Sequence, residues 1–250
     1  MKTVILAGGL GTRLSEYTES IPKPMVRVCN KPLLEHIITI YSQYKYNDFI
    51  IALGYKGEEI KRYFMEYKII NSDISINIRN GEHKLLNTID NNWNISMIDT
   101  GLDSMTGGRL KRLKNYINDE RFFLTYGDGV ADINIDALLD FHKAHGKMVT
   151  VTAVRPVARF GEITIEGECV KVFKEKPQVD QGWINGGFFV IEPEFLDLVE
   201  NDLTVLEKDP IERACAMGEL MAYKHYGIWQ CVDTKRDVET ITELFNEGKL

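Results

Sequence analysis

The chain has little that would tie it to a membrane, a zinc cage or a nucleic acid. Its four cysteines, Cys29, Cys169, Cys215 and Cys231, are widely spaced and include no C-x-x-C pair. Zinc ribbons and disulfide frameworks need closer pairing, so reduced thiols are expected. No apolar run approaches the ~20 residues that cross a bilayer. Met1-Lys2-Thr3 runs straight into Val4-Ile5-Leu6-Ala7, an apolar stretch too short for a signal peptide. A cytoplasmic address without a membrane partner is the expectation. Basic residues are outnumbered, 30 against 37, for a net charge of -7. A general nucleic-acid binder needs an excess of lysine and arginine for its phosphate contacts, so the charge argues against that class. Anionic small molecules are not, because a few basic groups can reverse the field inside one cleft. Repeats at a period of ~20–50 residues, low-complexity tracts and long Pro/Gly/Ser linkers are also missing.

What remains is an ordinary globular composition, 44% hydrophobic and 27% charged, long enough for a large core. The β-branched run at residues 3–7 halts at Gly8-Gly9, as a buried strand feeding a glycine loop does. Leu33, Leu34, Ile37, Ile38 and Tyr41 fall at helical spacing behind Pro32, and residues 49–53 form a second strand. Helix is expected over 56–67, strand over 74–78 and 95–98, helix over 107–117, strand over 122–125, helix over 135–145 and strand over 148–154. This alternation predicts an α/β domain around a mainly parallel sheet. Past residue 155 the pattern turns to short strands, 163–165, 170–173 and 187–191, before helices at 193–199, 210–217 and 235–246. A smaller antiparallel lobe on the first sheet is expected, within one domain of two lobes, 1–154 and 155–250.

Leu6-Ala7-Gly8-Gly9-Leu10-Gly11-Thr12-Arg13-Leu14 is the most informative segment. Bare N–H groups after a strand can cradle phosphate oxygens, although glycines alone also make a tight turn. Arg13, and Lys23 framed by Pro22 and Pro24, add fixed positive charge beside the loop. The P-loop pattern fails because no lysine follows the glycines at its spacing, and a dinucleotide fingerprint from Gly9 meets Leu14 where glycine is needed. Asp128, in Gly127-Asp128-Gly129, would sit at the carboxyl end of strand 122–125, the edge where open α/β sheets bind ligands. The five histidines show no metal-ligand spacing, and Trp183 and Trp229 read as core or cleft wall.

The stretch from Leu6 to Pro24 resembles the signature of the sugar-phosphate nucleotidyltransferases: a glycine-rich loop, an arginine, then a lysine between prolines. The likeness continues in order through Asp99-Thr100-Gly101, Ser104–Leu110, Tyr126–Val130, Arg159-Phe160-Gly161, Glu175-Lys176-Pro177, Ile184–Phe189 and Trp229-Gln230 with Asp233-Thr234. It is nearest to the branch that uses CTP and glucose 1-phosphate.

The resemblance implies a Rossmann-like nucleotide-diphospho-sugar transferase fold. It also implies transfer of CMP to a sugar 1-phosphate with release of pyrophosphate, for nucleotide-sugar and surface-polysaccharide synthesis. It assigns Mg²⁺ to Asp128 and Asp233, and catalytic roles to Arg13, Lys23, Asp128 and Lys176. Nucleotide contacts fall to Leu6, Ala7, Gly8, Gly9, Gly11, Thr12, Thr106, Gly107 and Arg109. Gly161, Glu175, Lys176 and Asn185 take the sugar phosphate, and a homo-oligomer is expected.

Thr106-Gly107-Gly108 reads as a bare helix start whose free N–H groups favour an acceptor or an anion, whereas Lys111, Arg112 and Lys114 read as a solvated face. The chain departs from the branch at Glu162, at Leu206 before Glu207, and at Cys231-Val232, where Pro-Met is common. These positions leave open another phosphorylated acceptor. A silent sugar-nucleotide-binding regulator is the rival from a different class, and an oxidoreductase is already weakened by Leu14.

Overall fold

The computed structural model describes residues 1–156, 162–166, 169–174 and 182–250; for Arg13, Ser15, 162–166, 169–170 and 172–174 it describes the backbone alone. Its central sheet is built from β1 (Thr3–Leu6), β2 (Asp48–Leu53), β3 (Asn94–Asp99), β4 (Phe122–Tyr126), β5 (Val149–Val154), β6 (Ile184–Ile191) and β7 (Leu220–Lys224), in the order β7-β5-β6-β4-β1-β2-β3. β1 pairs in parallel with both β2 and β4, and β2 with β3. β6 runs antiparallel between β4 and β5, and β5 pairs in parallel with β7. The sheet is therefore mixed and mainly parallel, and it extends across residue 154 into the second half of the chain.

Alternation along the strands explains the two cores. Ile5, Phe49 and Ile51 point to one face, where they meet Leu34, Ile38 and Tyr41 of α1 (Leu33–Ser42). Val4, Ile50 and Ala52 point to the other, against Leu110, Leu113 and Ile117. A strand buried on both faces is what an α/β sheet requires, and it accounts for the nearly continuous apolar runs of the sequence. The cluster Leu33, Leu34, Ile37, Ile38 and Tyr41 is wholly buried.

Strand order locates the ligand edge. The chain moves from β1 outward through β2 to β3, then returns to the opposite side of β1 to lay down β4. A crevice opens beyond the carboxyl ends of two neighbouring strands whose connections leave in opposite directions. Gly8-Gly9 follow β1 and Gly127-Asp128 follow β4, so both motifs lie at that reversal.

Some expected elements differ; the helix over 193–199 is a 3₁₀ helix, Pro193–Leu198, and that over 56–67 is Gly57–Met65. The helix over 107–117 is broken into α2 (Thr106–Arg112) and a further turn, Lys114–Ile117, with Leu113 between them. The strand at 74–78 lies outside the central sheet. As Asp73–Ile76 it forms an isolated antiparallel hairpin with His83–Leu86, exposing Ile74, Ile76 and Leu86. Glu162–Glu166 and Cys169–Lys174 form the antiparallel pair expected past residue 155. Among the described residues no helix is long and apolar enough to cross a membrane.

Candidate active site

A cleft of roughly 600 Å³ opens at the strand-order reversal, within the range of small-molecule sites. The glycine loop, Thr12, Lys23, Thr106, Asp128, Asn185 and Asp233 all line it. Segments far apart in sequence thus meet at one place, and backbone hydrogen bonds hold them there. Ala7 N–H donates to Ala52 O at 3.0 Å, and Gly127 N–H donates to Leu6 O at 2.9 Å. The space a side chain would need at Gly9 is open, so its backbone can be approached closely. Gly11 adopts φ +64°, which bends the loop back toward Lys23.

Lys23 begins a single 3₁₀ turn, Lys23–Met25, after an extended Pro22. The backbone is fixed on both sides, as the proline frame suggests. Its ammonium donates to Asp128 Oδ2 at 2.7 Å and to Asp233 Oδ1 at 2.8 Å. Burial acts to lower the pKa of this ammonium. The Asp128 charge and hydrogen bonds to both carboxylates act the other way and win, so it is raised and Lys23 stays charged.

Asp233 is positioned by a helix cap. Thr234 and Asp237 form a capping box at the start of α4 (Lys235–Asn246, following α3, Ile135–His145). Asp237 Oδ2 also accepts from Asp233 N–H at 2.9 Å. Cap and metal-type carboxylate are therefore one unit, legible as the T-x-x-D spacing of Thr234 and Asp237. Cys231 joins the cluster, with its ligand atom and those of Asp128 and Asp233 all within 4.8 Å of one another. Burial, followed by the Asp128 charge, pushes its thiol up to about 12.

Arg109 also lines the cleft, but its guanidinium is already engaged by protein groups. Its side chain is 5% exposed beneath the glycine loop. The guanidinium donates to Gly8 O at 2.9 Å, Leu53 O at 3.1 Å, Thr100 Oγ1 at 2.9 Å, Gly101 O at 2.6 Å and Leu102 O at 3.1 Å. Burial lowers its pKa. A side chain at Gly8 or Gly54 would collide with this guanidinium, so both glycines make room for it. Arg109 is a strut that ties the phosphate-type loop to the segment after β3.

The bare helix start meets an acceptor from the protein itself. Gly107 and Gly108 N–H both donate to Thr204 O, at 3.0 and 3.2 Å, and are not directed at an anion. The two glycines are required because the 202–204 backbone packs against them. The basic run is exposed at Lys111, Arg112 and Lys114, as its pattern suggests, although Lys111 donates to Val199 O and Glu200 O, each at 2.7 Å.

Sequence reasoning missed a polar chain along the opposite wall. Tyr126 Oη donates to Glu207 Oε1 at 2.6 Å, and Thr106 Oγ1 donates to Glu207 Oε2 at 2.7 Å. Asn185 Nδ2 donates to Tyr126 Oη at 3.3 Å. No motif spacing marks these contacts, since Glu207 follows Tyr126 by 81 residues. Trp229, read as core or wall, lines the cleft and donates from Nε1 to Gly186 O at 2.7 Å. Gly161, Glu175 and Lys176 lie outside the described residues, as does the side chain of Arg13.

The family described as "Nucleotidyl transferase" matches residues 2–245. The chain belongs to the nucleotidyl transferase family. This transferase is 50% identical over 250 residues to a glucose-1-phosphate cytidylyltransferase of Salmonella typhi, covering 100% of this chain and 97% of that one. It is 43% identical to a probable glucose-1-phosphate cytidylyltransferase of Bacillus subtilis (strain 168), covering 100% and 98%. The crystal structure of HddC from Yersinia pseudotuberculosis shares its fold, with a TM-score of 0.72 at 22% identity, covering 98% of this chain and 99% of that one.

Proposed function

We propose that this transferase joins CMP from CTP to α-D-glucose 1-phosphate, releasing pyrophosphate and CDP-glucose. The observation that carries the reading is an intact Lys23–Asp128–Asp233 cluster in a chain half identical, end to end, to a glucose-1-phosphate cytidylyltransferase. An oxygen of the sugar phosphate attacks the α-phosphorus in line. The new P–O bond forms as the bond to pyrophosphate breaks. Such a transfer asks a protein for positioning and charge, not for a covalent group. No general base is required, because a phosphate monoester is already ionised near neutral pH.

Two anions must meet in a partly dry cleft, where their repulsion is large. Bare backbone at Gly8-Gly9 receives the nucleotide phosphates. Lys23, charged and fixed in backbone, faces the α-phosphoryl oxygens from the cluster that now holds it. By resemblance Arg13 supports the leaving pyrophosphate and Lys176 the incoming phosphate, with Glu175, Gly161 and Asn185 on the sugar. The lobe division follows, 1–154 for the nucleotide and 155–250 for the acceptor.

The donor set fits a divalent ion. Two carboxylates converge on one point, and one ammonium between them leaves a net negative charge that an incoming nucleotide would worsen. Hard oxygen donors completed by phosphate and water suit magnesium, and Asp128 with Asp233 would hold it. When bound, the ion would neutralise charge on the phosphate oxygens.

Homo-oligomerisation and a cytoplasmic address complete the proposal. The exposed apolar hairpin supports the former, because a lone two-stranded hairpin is marginally stable and exposed apolar patches mark contact surfaces. A different phosphorylated acceptor remains the second reading, favoured by Cys231-Val232 and Leu206, which depart from the branch pattern on the acceptor half.

The test is pyrophosphate release measured across CTP, UTP, dTTP, ATP and GTP, with a panel of sugar 1-phosphates. CTP with glucose 1-phosphate is expected to give the highest kcat/KM. Tight binding of CDP-glucose without turnover would instead indicate the silent regulator, and preference for another acceptor would establish the second reading.

A further inference from the structure

The corner that holds Asp128 and Asp233 contains a third donor that magnesium chemistry does not use. Cys231 Sγ lies within 4.8 Å of the carboxylate oxygens. Its placement follows from the backbone. Cys231 pairs with Gly129 across a short antiparallel ladder, and Val232 N–H donates to Asp128 O at 2.9 Å. Asp233 is fixed in turn by Asp237. The three donors thus sit on two segments bonded to each other on either side of the cluster. A cation already occupies the gap, since the Lys23 ammonium bridges the carboxylates at 2.7 and 2.8 Å. Two negative groups against one positive leave room for more positive charge.

We propose that this corner is a mixed oxygen–sulfur metal site, in which Cys231 joins Asp128 and Asp233 to bind zinc, cobalt or cadmium in place of magnesium. The inference rests on the reading of Asp128 and Asp233 as the metal-binding pair. Magnesium takes oxygen ligands and leaves the thiol aside. A thiolate selects softer ions, and zinc accepts sulfur at about 2.3 Å with carboxylate oxygen at about 2.0–2.2 Å. Bringing the donors to those distances requires a modest contraction of the cluster. On binding, the thiol proton leaves to solvent, the Lys23 ammonium withdraws, and a water or phosphate oxygen takes the fourth position. A zinc ion so held ties up both carboxylates and inhibits the magnesium-supported reaction. Cys29 and Cys215 are internal controls, as neither belongs to a group of potential metal ligands among the described residues.

The experiment uses the full chain freed of divalent ions. Cysteines are alkylated with or without Zn²⁺ or Mg²⁺, and the modified peptides are identified by mass spectrometry. Zn²⁺ is expected to slow alkylation of Cys231 at least about tenfold, Mg²⁺ to leave it unchanged, and Cys29 and Cys215 to react alike throughout. Cobalt gives an answer that does not depend on reagent access: Co²⁺ should produce a thiolate-to-metal charge-transfer band, lost in Cys231→Ser. Bound Co²⁺ without that band, or a band that persists in Cys231→Ser, overturns the inference. Calorimetric titration of Asp128→Asn/Asp233→Asn separates the two levels. If that variant binds Mg²⁺ and Zn²⁺ as tightly as the native chain, the metal-pair reading itself fails. If it loses both while native Cys231 reacts unprotected, only the role of the thiol fails.

Discussion

Two cations lie on either side of the glycine loop, and they are built in opposite ways. Lys23 is held by two carboxylates that face the cleft. Arg109, which also lines the cleft, is held by four backbone carbonyls and one hydroxyl. A point charge on a flexible stem can change partners, so an ammonium between carboxylates remains available to a phosphate. A planar guanidinium with its donors directed into buried carbonyls cannot leave without orphaning them. Positive charge beside the glycine loop is thus held exchangeably on one side and locked in place on the other, and the partners decide which.

The largest expected effect tests the first half. Lys23→Met should reduce kcat by about 10²–10³-fold or more, the scale lost with one preorganised donor to a developing anion. It leaves Asp128 and Asp233 facing each other, so a small fall in melting temperature is expected, restored by Mg²⁺. Near-normal turnover in this variant would remove Lys23 from the chemistry.

Arg109→Met should act the other way. Several buried carbonyls lose their donor together, and each unsatisfied group costs about 1–3 kcal/mol, less whatever relaxation recovers. A loss of about 3 kcal/mol is expected, which in a chain of this size lowers the melting temperature by about 6–12 °C. Arg109→Lys should rescue little, since one ammonium cannot replace the planar fork. If Arg109→Met melted normally but bound CTP poorly, the strut would instead be a ligand.

How far each cation was legible follows from what its partners are. Lys23 could be read because the prolines that fix it are side chains in the sequence, and Asp128 because glycines mark the end of β4. Arg109 could not be read, because its acceptors are mostly carbonyls, which every residue has. Its neighbours Lys111 and Arg112 have the pattern of a solvated face. The partner of the bare helix start at Gly107 is hidden for the same reason: nothing in the sequence shows that the 202–204 backbone arrives to take its N–H groups. Local apolar periodicity found the strands, helices and parallel core. It could not say that β6 inserts antiparallel between β4 and β5, since periodicity gives a strand its faces but not its neighbours. The strand at 74–76 shows the same limit, since it has the apolar content of a core strand and lies in an exposed hairpin.

A smaller effect is expected at the Asn185–Tyr126–Glu207 chain of hydrogen bonds. Tyr126→Phe removes the hydroxyl that donates to Glu207 and accepts from Asn185. Loosening Asn185 should raise KM for glucose 1-phosphate about tenfold while changing kcat and KM for CTP little, an effect of about 1.4 kcal/mol. Equal losses with both substrates would place Tyr126 in general packing instead.

The smallest expected effect lies away from the cleft and concerns histidines whose charge is disfavoured. The His142 side chain is wholly buried between Thr150 and Glu192, with Arg121 and His145 close by. Burial lowers its pKa more than Glu192 raises it, and burial likewise lowers the pKa of His145, with Lys147 adding to the shift. The folded state therefore binds fewer protons than the unfolded chain as pH drops below the ordinary histidine value of about 6.5. Stability is fully present above that value and is lost as pH falls through the folded pKa. Melting temperature should be flat from pH 8 to 7 and decline from 6.5 toward 5. Each unit of separation between folded and unfolded pKa contributes at most about 1.4 kcal/mol. His142→Asn should flatten part of that decline even if it melts lower overall. A variant with an unchanged slope would assign the acid sensitivity to other groups, whereas Lys23, whose pKa is raised, should remain charged throughout the range.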